Sequence, residues 1–119
     1  MQMTLQVHLF ARAADEAELE RVLTRALGEH RGRFTLTGQE RYWKVETLLD
    51  VGLQTILQAT TPGDAIVETL RILDRIATHW HIKAPRHLLD GTFQFEGDAE
   101  KPEARLLAVE LVSFSLSGT

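Results

Sequence analysis

Three of the five histidines in the chain lie in one stretch, Ile76 to His87, together with a tryptophan and a proline. Histidines are common metal ligands and general bases, so this stretch has the residue types for a metal or catalytic site. On a helix, His79 and His81 are separated by about 200°, which prevents them from binding one ion. In an extended loop both rings could point the same way, and His87 and Asp90 could then complete a metal site. We expect the helical alternative, in which the stretch ends a helix and binds no metal.

The other reactive residue types form no enzyme motif. The serines lie mainly near the C-terminus, and none has the Gly-x-Ser-x-Gly context of a nucleophile elbow. The eight glycines are scattered, and neither GxxxxGK[ST] nor GxGxxG is present to cradle a phosphate. Glu46, Asp50 and Glu96 could supply paired carboxylates, but acids at solvent-facing strand positions are normally structural. We therefore expect a protein that is not an enzyme, with no catalytic residues and no cofactor.

The segment GDAEKPE, residues 97–103, is acidic and is predicted to form the loop between the last two strands. It contains Asp98, Glu100 and Glu103, and only Lys101 opposes their charge. A solvated hairpin loop would account for this composition. The same carboxylates would also attract a basic protein partner.

The segment ERYWKVE, residues 40–46, places two aromatic residues beside charged ones. On a strand, Tyr42 and Trp43 point to opposite faces. We expect Trp43 to pack in the core and Tyr42 to face outward as a binding anchor. The residues predicted to contact a partner are Tyr42, Glu46, Asp98, Glu100 and Glu103.

The elements that must position these residues begin with a strand and a helix. Residues 3–9 alternate between apolar and polar types, as in a strand with one buried face. Asp15 and Glu18 resemble a capping box at a helix start, and Gly28 or Gly32 would end that helix. Its apolar stripe consists of Leu19, Val22, Leu23, Ala26 and Leu27.

A second helix has the strongest local signals. Thr61 can cap it, Pro62 suits its first position, and Asp64 suits the positive end of the helix dipole. Pro85 prevents its smooth continuation, because the residue before a proline disfavours the helical conformation. The pattern predicts a helix that continues as far as Trp80. One face of this helix is a continuous apolar stripe: Ile66, Leu70, Leu73, Ile76, Ala77 and Trp80.

Between the helices, the pattern predicts a hairpin. Residues 33–37 form a short strand with Phe34 and Leu36 on one side, residues 38–40 a turn, and residues 41–50 the second arm. The segment 51–60 is either a further short strand or a loop.

Two more strands, residues 92–96 and 105–115, are predicted near the C-terminus, joined by a polar loop over residues 97–104. Leu107, Val109 and Leu111 form one face of the last strand. Its other face is also apolar, so we place this strand centrally in the sheet or against a partner.

These elements predict a single α+β domain over residues 1–119. Its two helices pack on one face of a mainly antiparallel sheet, in an embellished split βαβ (ferredoxin-like) arrangement. A sheet covered on one side leaves its second face for a ligand, a second copy of the chain or another protein.

Composition excludes several classes of function. The net charge of −4 provides no basic surplus for phosphate, so we expect no nucleic-acid binding. No apolar stretch approaches the roughly 20 residues that a membrane span requires, and the N-terminus lacks the basic region of a signal peptide. The chain has no cysteine, which excludes disulfides and thiolate metal sites. We expect a cytoplasmic protein without membrane contact.

The Tyr-Trp-Lys-Val-Glu strand at 42–46 and the Thr-His-Trp-His end of the second helix lie in a small, cysteine-free, mildly acidic α+β chain. This chain resembles the immunity proteins of bacterial contact-dependent inhibition and polymorphic toxin systems. The resemblance extends over the whole chain and rests on size, charge and general pattern, since those proteins share no diagnostic motif. It implies a non-enzymatic inhibitor that binds a cognate, more basic toxin domain and blocks its active site or substrate surface. It assigns no residue.

Two other functions fit the same pattern. One is a split βαβ homodimer that binds or transforms a small molecule in an apolar pocket, with His8, His79, His81 or Glu46 as its polar groups. The other is a structural subunit or adaptor in a larger assembly. The sequence leaves both open.

Overall fold

The computed structural model describes residues 2–41, 48–100 and 108–118. This part of the chain is an α+β fold in which two α-helices accompany a seven-stranded antiparallel sheet. A 3-10 helix, Gly28–Arg33, follows the first α-helix. The elements are β1 (Gln2–Arg12), α1 (Glu16–Leu27), β2 (Thr35–Arg41), β3 (Leu48–Gln58), α2 (Pro62–Leu73), β4 (His81–Ile82), β5 (Arg86–His87), β6 (Phe93–Glu100) and β7 (Val109–Gly118).

The strand order is β2-β3-β1-β7-β6-β4, and β5 also pairs with β6. Helix α1 connects β1 to β2, and β3 lies between these two strands in the sheet. Strand β1 lies between β3 and β7. The order β2-β3-β1-β7 is the one expected for a split βαβ arrangement, and β4 to β6 extend the sheet beyond it. The α+β class and the antiparallel sheet with two helices are confirmed. The ferredoxin-like designation stays a prediction.

One hydrophobic core joins both helices to one face of the sheet. On β1 the buried residues alternate with exposed or half-buried ones, as the sequence predicts. All five residues of the predicted α1 stripe are buried. Both predicted helix caps are confirmed: the Glu18 backbone N–H donates to Asp15 Oδ1 over 2.8 Å, and the Asp64 backbone N–H donates to Thr61 Oγ1 over 3.1 Å.

The predicted length of the second helix is wrong. Helix α2 ends at Leu73, and the backbone N–H groups of Arg75 and Ile76 bond three residues back, which tightens the chain into turns. Ile76 is still buried because the turns keep it against the core, while Leu70, predicted in the apolar stripe, is 37% exposed. The stretch that contains the three histidines is therefore not a helix end: it supplies β4 and β5.

The predicted hairpin is displaced. Residues 38–40, predicted as a turn, lie within β2, which pairs with β3 as far as Arg41. Most of the ambiguous segment 51–60 belongs to β3. Phe34 is buried but Leu36 is 41% exposed, and the β2–β3 register shifts just after Leu36. Long-range pairing with β3 therefore extends β2 through the residues whose local composition suggested a turn.

The last two strands are also longer or displaced relative to the prediction. Strand β6 continues through Glu100, so residues 97–100 are not in a loop, and β7 lies between β1 and β6, as the central placement predicted. The β1–β7 register shifts between Phe10 and Ala11. This irregularity separates Val109, which is buried, from Leu111, which is half-buried, although simple alternation put them together. In the described part of the chain, no helix is long and apolar enough to cross a membrane.

Candidate functional site

The side of the sheet opposite the core is the candidate functional surface, and we call it the open face. On β1 it presents Gln6, His8 and Arg12, which are exposed, while Val7, Leu9 and Ala11 are buried in the core. On β7 it presents Ser113 and Ser115, and on β6 it presents the residues paired with them. The open face therefore consists mainly of polar side chains from neighbouring strands.

A depression of about 410 Å³ lies on the open face. Ser113 and Ser115 lie between its two sides. Gln6 and His8 on β1 line one side, and Asp98 on β6 lines the other. Because serine side chains are shorter than their neighbours on both flanking strands, the surface is lower along β7. His81, Lys83 and Glu96 also line the depression.

On the open face, the neighbours of His8 are an aspartate and a serine, which are the residue types that accompany histidine in hydrolytic sites. Its Nε2 contacts Asp50 Oδ1 from β3, and its register partner on β7 is Ser113. A general base must lie within about 2.6–3.2 Å of the hydroxyl that it activates. Among the described side chains, no hydrogen bond joins Ser113 to His8.

The acidic residues of β6 differ in their partners. Glu96 Oε1 lies 3.4 Å from Lys83 Nζ and 3.5 Å from a terminal nitrogen of Arg86. Asp98 and Glu100 are exposed, and among residues 2–41, 48–100 and 108–118 no basic group lies within ion-pair distance of either carboxylate. They are two residues apart on one strand, so both face the same side. Their negative charge is therefore not neutralised by a basic group of the described residues.

Asp98 and Glu100 form what we call the acidic edge of the open face. Two apolar side chains lie beside it, towards the centre of the sheet. Leu111 on β7 is the register partner of both Glu100 on β6 and Phe10 on β1. Phe10 in turn pairs with Asp50 on β3. Leu111 and Phe10 are half-buried. The row thus has an apolar centre between carboxylates, which is the composition of many protein-binding surfaces.

Of the five residues predicted to bind a partner, the structure describes two. Asp98 and Glu100 lie on β6, which corrects their predicted place in a loop, because the ladder with β7 extends to Glu100. The predictions for Tyr42, Glu46 and Glu103, and for the core position of Trp43, lie outside the described residues.

The three clustered histidines do not come together. His79 is exposed, His81 on β4 pairs with Asp98, and His87 on β5 pairs with Phe93, their ring centroids 5.3 Å apart. Asp98 is on the open face and Phe93 is in the core, so His81 and His87 belong to opposite faces. Among the described residues, no group of three or more histidine and carboxylate side chains could hold a metal ion.

Trp80, in the same stretch, packs against the core, as predicted. Its ring contacts Phe114 edge to face, with centroids 5.5 Å apart. The contact is made from the loop before β4 rather than from a helix, because α2 ends seven residues earlier.

The role of the serines was not predicted from the sequence. Ser113, Ser115 and Ser117 alternate near the C-terminus, which suggested only a solvated strand face. Their alternation was a usable signal, but its meaning depends on β7 having a strand on each side. An alternating serine row on an internal strand forms the base of a depression rather than a plain exposed surface.

Comparisons of this chain with models of known protein families, with curated proteins and with solved structures found no match.

Proposed function

We propose that this chain is a non-enzymatic binding protein, an immunity or antitoxin protein that neutralises a cognate bacterial toxin domain through its open face. The observation that carries the proposal is the acidic edge of that face. Asp98 and Glu100 are adjacent there, exposed and without an ion-pair partner in the described part of the chain. Most exposed charges tolerate substitution without consequence. The position of these two carboxylates beside an apolar centre is therefore stronger support for a binding surface than their exposure alone.

The proposed mechanism separates attraction from docking. The carboxylates of Asp98 and Glu100, which have no ion-pair partner among the described residues, attract a basic toxin domain and raise its association rate. Leu111 and Phe10 then supply apolar contact area that loses water in the complex. Because Leu111 is the register partner of Glu100, the charged and apolar contacts would belong to one continuous patch.

Three of the predicted contact residues are not described by the structure. The connectivity of the sheet is compatible with their belonging to the same contact surface as Glu100. Arg41 and Leu48 flank residues 42–47, and Glu100 and Ala108 flank residues 101–107. Arg12 pairs with Leu48, and its backbone N–H donates to the Ala108 carbonyl over 2.7 Å. Both connections therefore depart from the same end of the sheet, the end at which Glu100 lies. We keep Tyr42, Glu46 and Glu103 in the proposed contact surface.

The homodimer that encloses a small molecule has less support from the geometry. That function requires an apolar pocket. The depression of the open face is lined mainly by charged, amide, hydroxyl and imidazole groups. These groups suit a wet contact with another protein better than enclosure of an apolar ligand.

Charge reversal of the acidic edge tests the proposed function. The chain is mixed with the purified product of the reading frame immediately upstream of its own, and affinity is measured at low and at high salt. We expect the double variant Asp98→Lys/Glu100→Lys to weaken binding more than about tenfold, mainly through the association rate. The matched control is Glu16→Lys/Glu29→Lys, which makes the same change in net charge at exposed acids outside the open face.

Three results would argue against the proposal: no binding by the unaltered chain, equal losses in the two double variants, or affinity insensitive to salt. Both variants are first compared with the unaltered chain by thermal unfolding, so that loss of fold is not mistaken for loss of contact. Protection of growing cells against the upstream product provides a second measurement of the same function.

A further inference from the structure

The serine row extends beyond the first depression. A second depression, lined by Ser117, Thr4, Gln94 and Asp90, adjoins it along β7. At a rise of about 3.4 Å per residue, Ser113 to Ser117 spans about 14 Å. This is the length of about four residues of extended chain. We call the two depressions together the serine groove.

The chemistry of the serine groove suits a peptide backbone. Hydroxyl groups can donate and accept hydrogen bonds. On the flanking strands, Gln6 Nε2 donates to Gln54 Oε1 over 3.5 Å, and Gln94 Oε1 accepts from Arg86 over 2.9 Å. Gln6 can therefore offer its Oε1 and Gln94 its Nε2 to a peptide. The backbone groups of β7 already pair with β1 and β6. Recognition in the groove would therefore use side chains, which is a different mode from the addition of a strand to a sheet edge.

One end of the serine groove has a selective charge. Asp98 on β6 is the register partner of Ser113 on β7. Of the other carboxylates in the groove, Glu96 already has Lys83 and Arg86 as neighbours, and Asp90 accepts hydrogen bonds from the backbone N–H and hydroxyl of Thr92. Asp98 has no ion-pair partner in the described part of the chain. A carboxylate beside a hydroxyl offers several acceptors to one donor group. The planar guanidinium of arginine, with five N–H donors, fits this combination better than a single ammonium does.

We propose that the serine groove receives an extended segment of the protein partner and directs one arginine of that segment to Asp98 and Ser113. This inference rests on the proposed function and names the part of the partner that is recognised. The segment lies along β7, its backbone hydrogen-bonded to the serines and glutamines. The arginine occupies the end of the groove nearest the acidic edge.

The experiment uses two small probes and the full chain. Acetyl-Gly-Arg-Gly-amide is titrated into the ¹⁵N-labelled chain and followed by ¹H–¹⁵N spectra, and the same titration is repeated with the citrulline peptide. Citrulline keeps the shape of arginine and removes its charge. We expect the arginine peptide to shift the amide signals of residues 94–98 and 113–117. We expect the citrulline peptide to bind about threefold more weakly, the size of effect typical of an exposed ion pair.

Three variants locate the contact. Asp98→Asn should bind the arginine peptide as weakly as the unaltered chain binds the citrulline peptide. Ser115→Leu should abolish the shifts, because its side chain fills the groove without changing the charge. The matched control is Gln58→Leu, an exposed strand residue outside the groove, which should bind normally. The dispersion of each spectrum verifies that the variant is folded.

The inference is overturned if the arginine peptide causes no saturable shifts, shifts signals elsewhere, or binds no better than the citrulline peptide. This failure is distinguishable from failure of the proposed function. If the acidic edge is needed to bind the upstream product but the peptide does not bind, the proposed function stands and the groove is not its recognition site. If the peptide binds but the upstream product does not, the groove is confirmed without that function.

Discussion

Gly28 is the residue at which the backbone leaves the least choice of side chain. It ends α1 with φ 54° and ψ −127°, a combination strongly favoured by glycine. A Cβ atom at this position would also contact the Arg75 guanidinium, 2.8 Å from its Nε. Gly32, four residues later in the 3-10 helix, has neither a positive φ nor an atom within 4 Å of such a Cβ. The backbone conformation therefore requires glycine at position 28 but not at position 32.

We predict that Gly28→Ala lowers the free energy of unfolding by about 1–2 kcal/mol, the usual cost of an L residue in a glycine conformation. Gly32→Ala should change it by less than about 0.5 kcal/mol. Urea unfolding of both variants provides the measurement. The double variant Gly28→Ala/Arg75→Ala should recover little stability, because Arg75 is flexible and the strain lies in the backbone. Equal effects at the two glycines would contradict this explanation.

At the start of both α-helices, a side chain accepts a hydrogen bond from a backbone N–H group that has no partner within the helix. Asp15 accepts from the backbone N–H of Glu18, and Glu18 Oε2 in return accepts from the Ala14 N–H over 2.8 Å. Thr61 caps α2 in the same way, and Pro62 follows it at a position where no N–H donor is needed. These contacts span four residues or fewer. Local sequence therefore places both helix starts without information from the sheet.

We expect Asp15→Ala to destabilise the protein by about 1 kcal/mol, because it leaves a helix N–H without its acceptor. Asp15→Asn retains an acceptor oxygen and should cost less. The matched substitution Thr61→Ala should have an effect of similar size on α2. Thermal and urea unfolding would measure all three. If Asp15→Asn and Asp15→Ala were equally destabilising, charge rather than the hydrogen bond would explain the effect.

At the scale of the whole molecule, strand β3 has one face buried in the core and the other face exposed. Leu53 is 1% exposed and belongs to the core, while Ile56, three residues later, is 42% exposed on the open face. Both are large apolar residues on an internal strand. Their contributions to stability should therefore differ according to the face of the sheet rather than the residue type.

Leu53→Ala should destabilise the protein by about 2–5 kcal/mol, since it removes core contacts and leaves a cavity. Ile56→Ala should cost less than about 1 kcal/mol. Urea unfolding of the two variants makes the comparison within one strand. A large loss for Ile56→Ala would indicate that the open face is covered in solution, for example by a second copy of the chain. Light scattering would then measure the oligomeric state.

Much of the fold was predictable wherever short-range patterns carried the information. Alternation identified β1, and the caps and apolar stripe identified the start, length and buried side of α1. The end of α2 was not predictable from its stripe, because Ile76 and Trp80 reach the core from turns and a loop instead. At the candidate site, the sequence predicted Asp98 and Glu100 as contacts for a partner, which stays a prediction, and it placed them in a loop although they lie on β6.

The local sequence specifies which residues are apolar, where helices begin and which strands alternate, since each depends on contacts between near neighbours. It does not specify which strands lie side by side. The pairing of β7 between β1 and β6 converts the alternating serines into a groove, and the ladder to Glu100 orders the acidic residues along one edge. The β1–β7 pairing joins residues about 100 positions apart, and the β6–β7 ladder joins residues 11 to 25 positions apart. Neither pairing follows from contacts within a single element, because both depend on the burial of the whole core. The proposed binding surface is consequently a property of the tertiary structure.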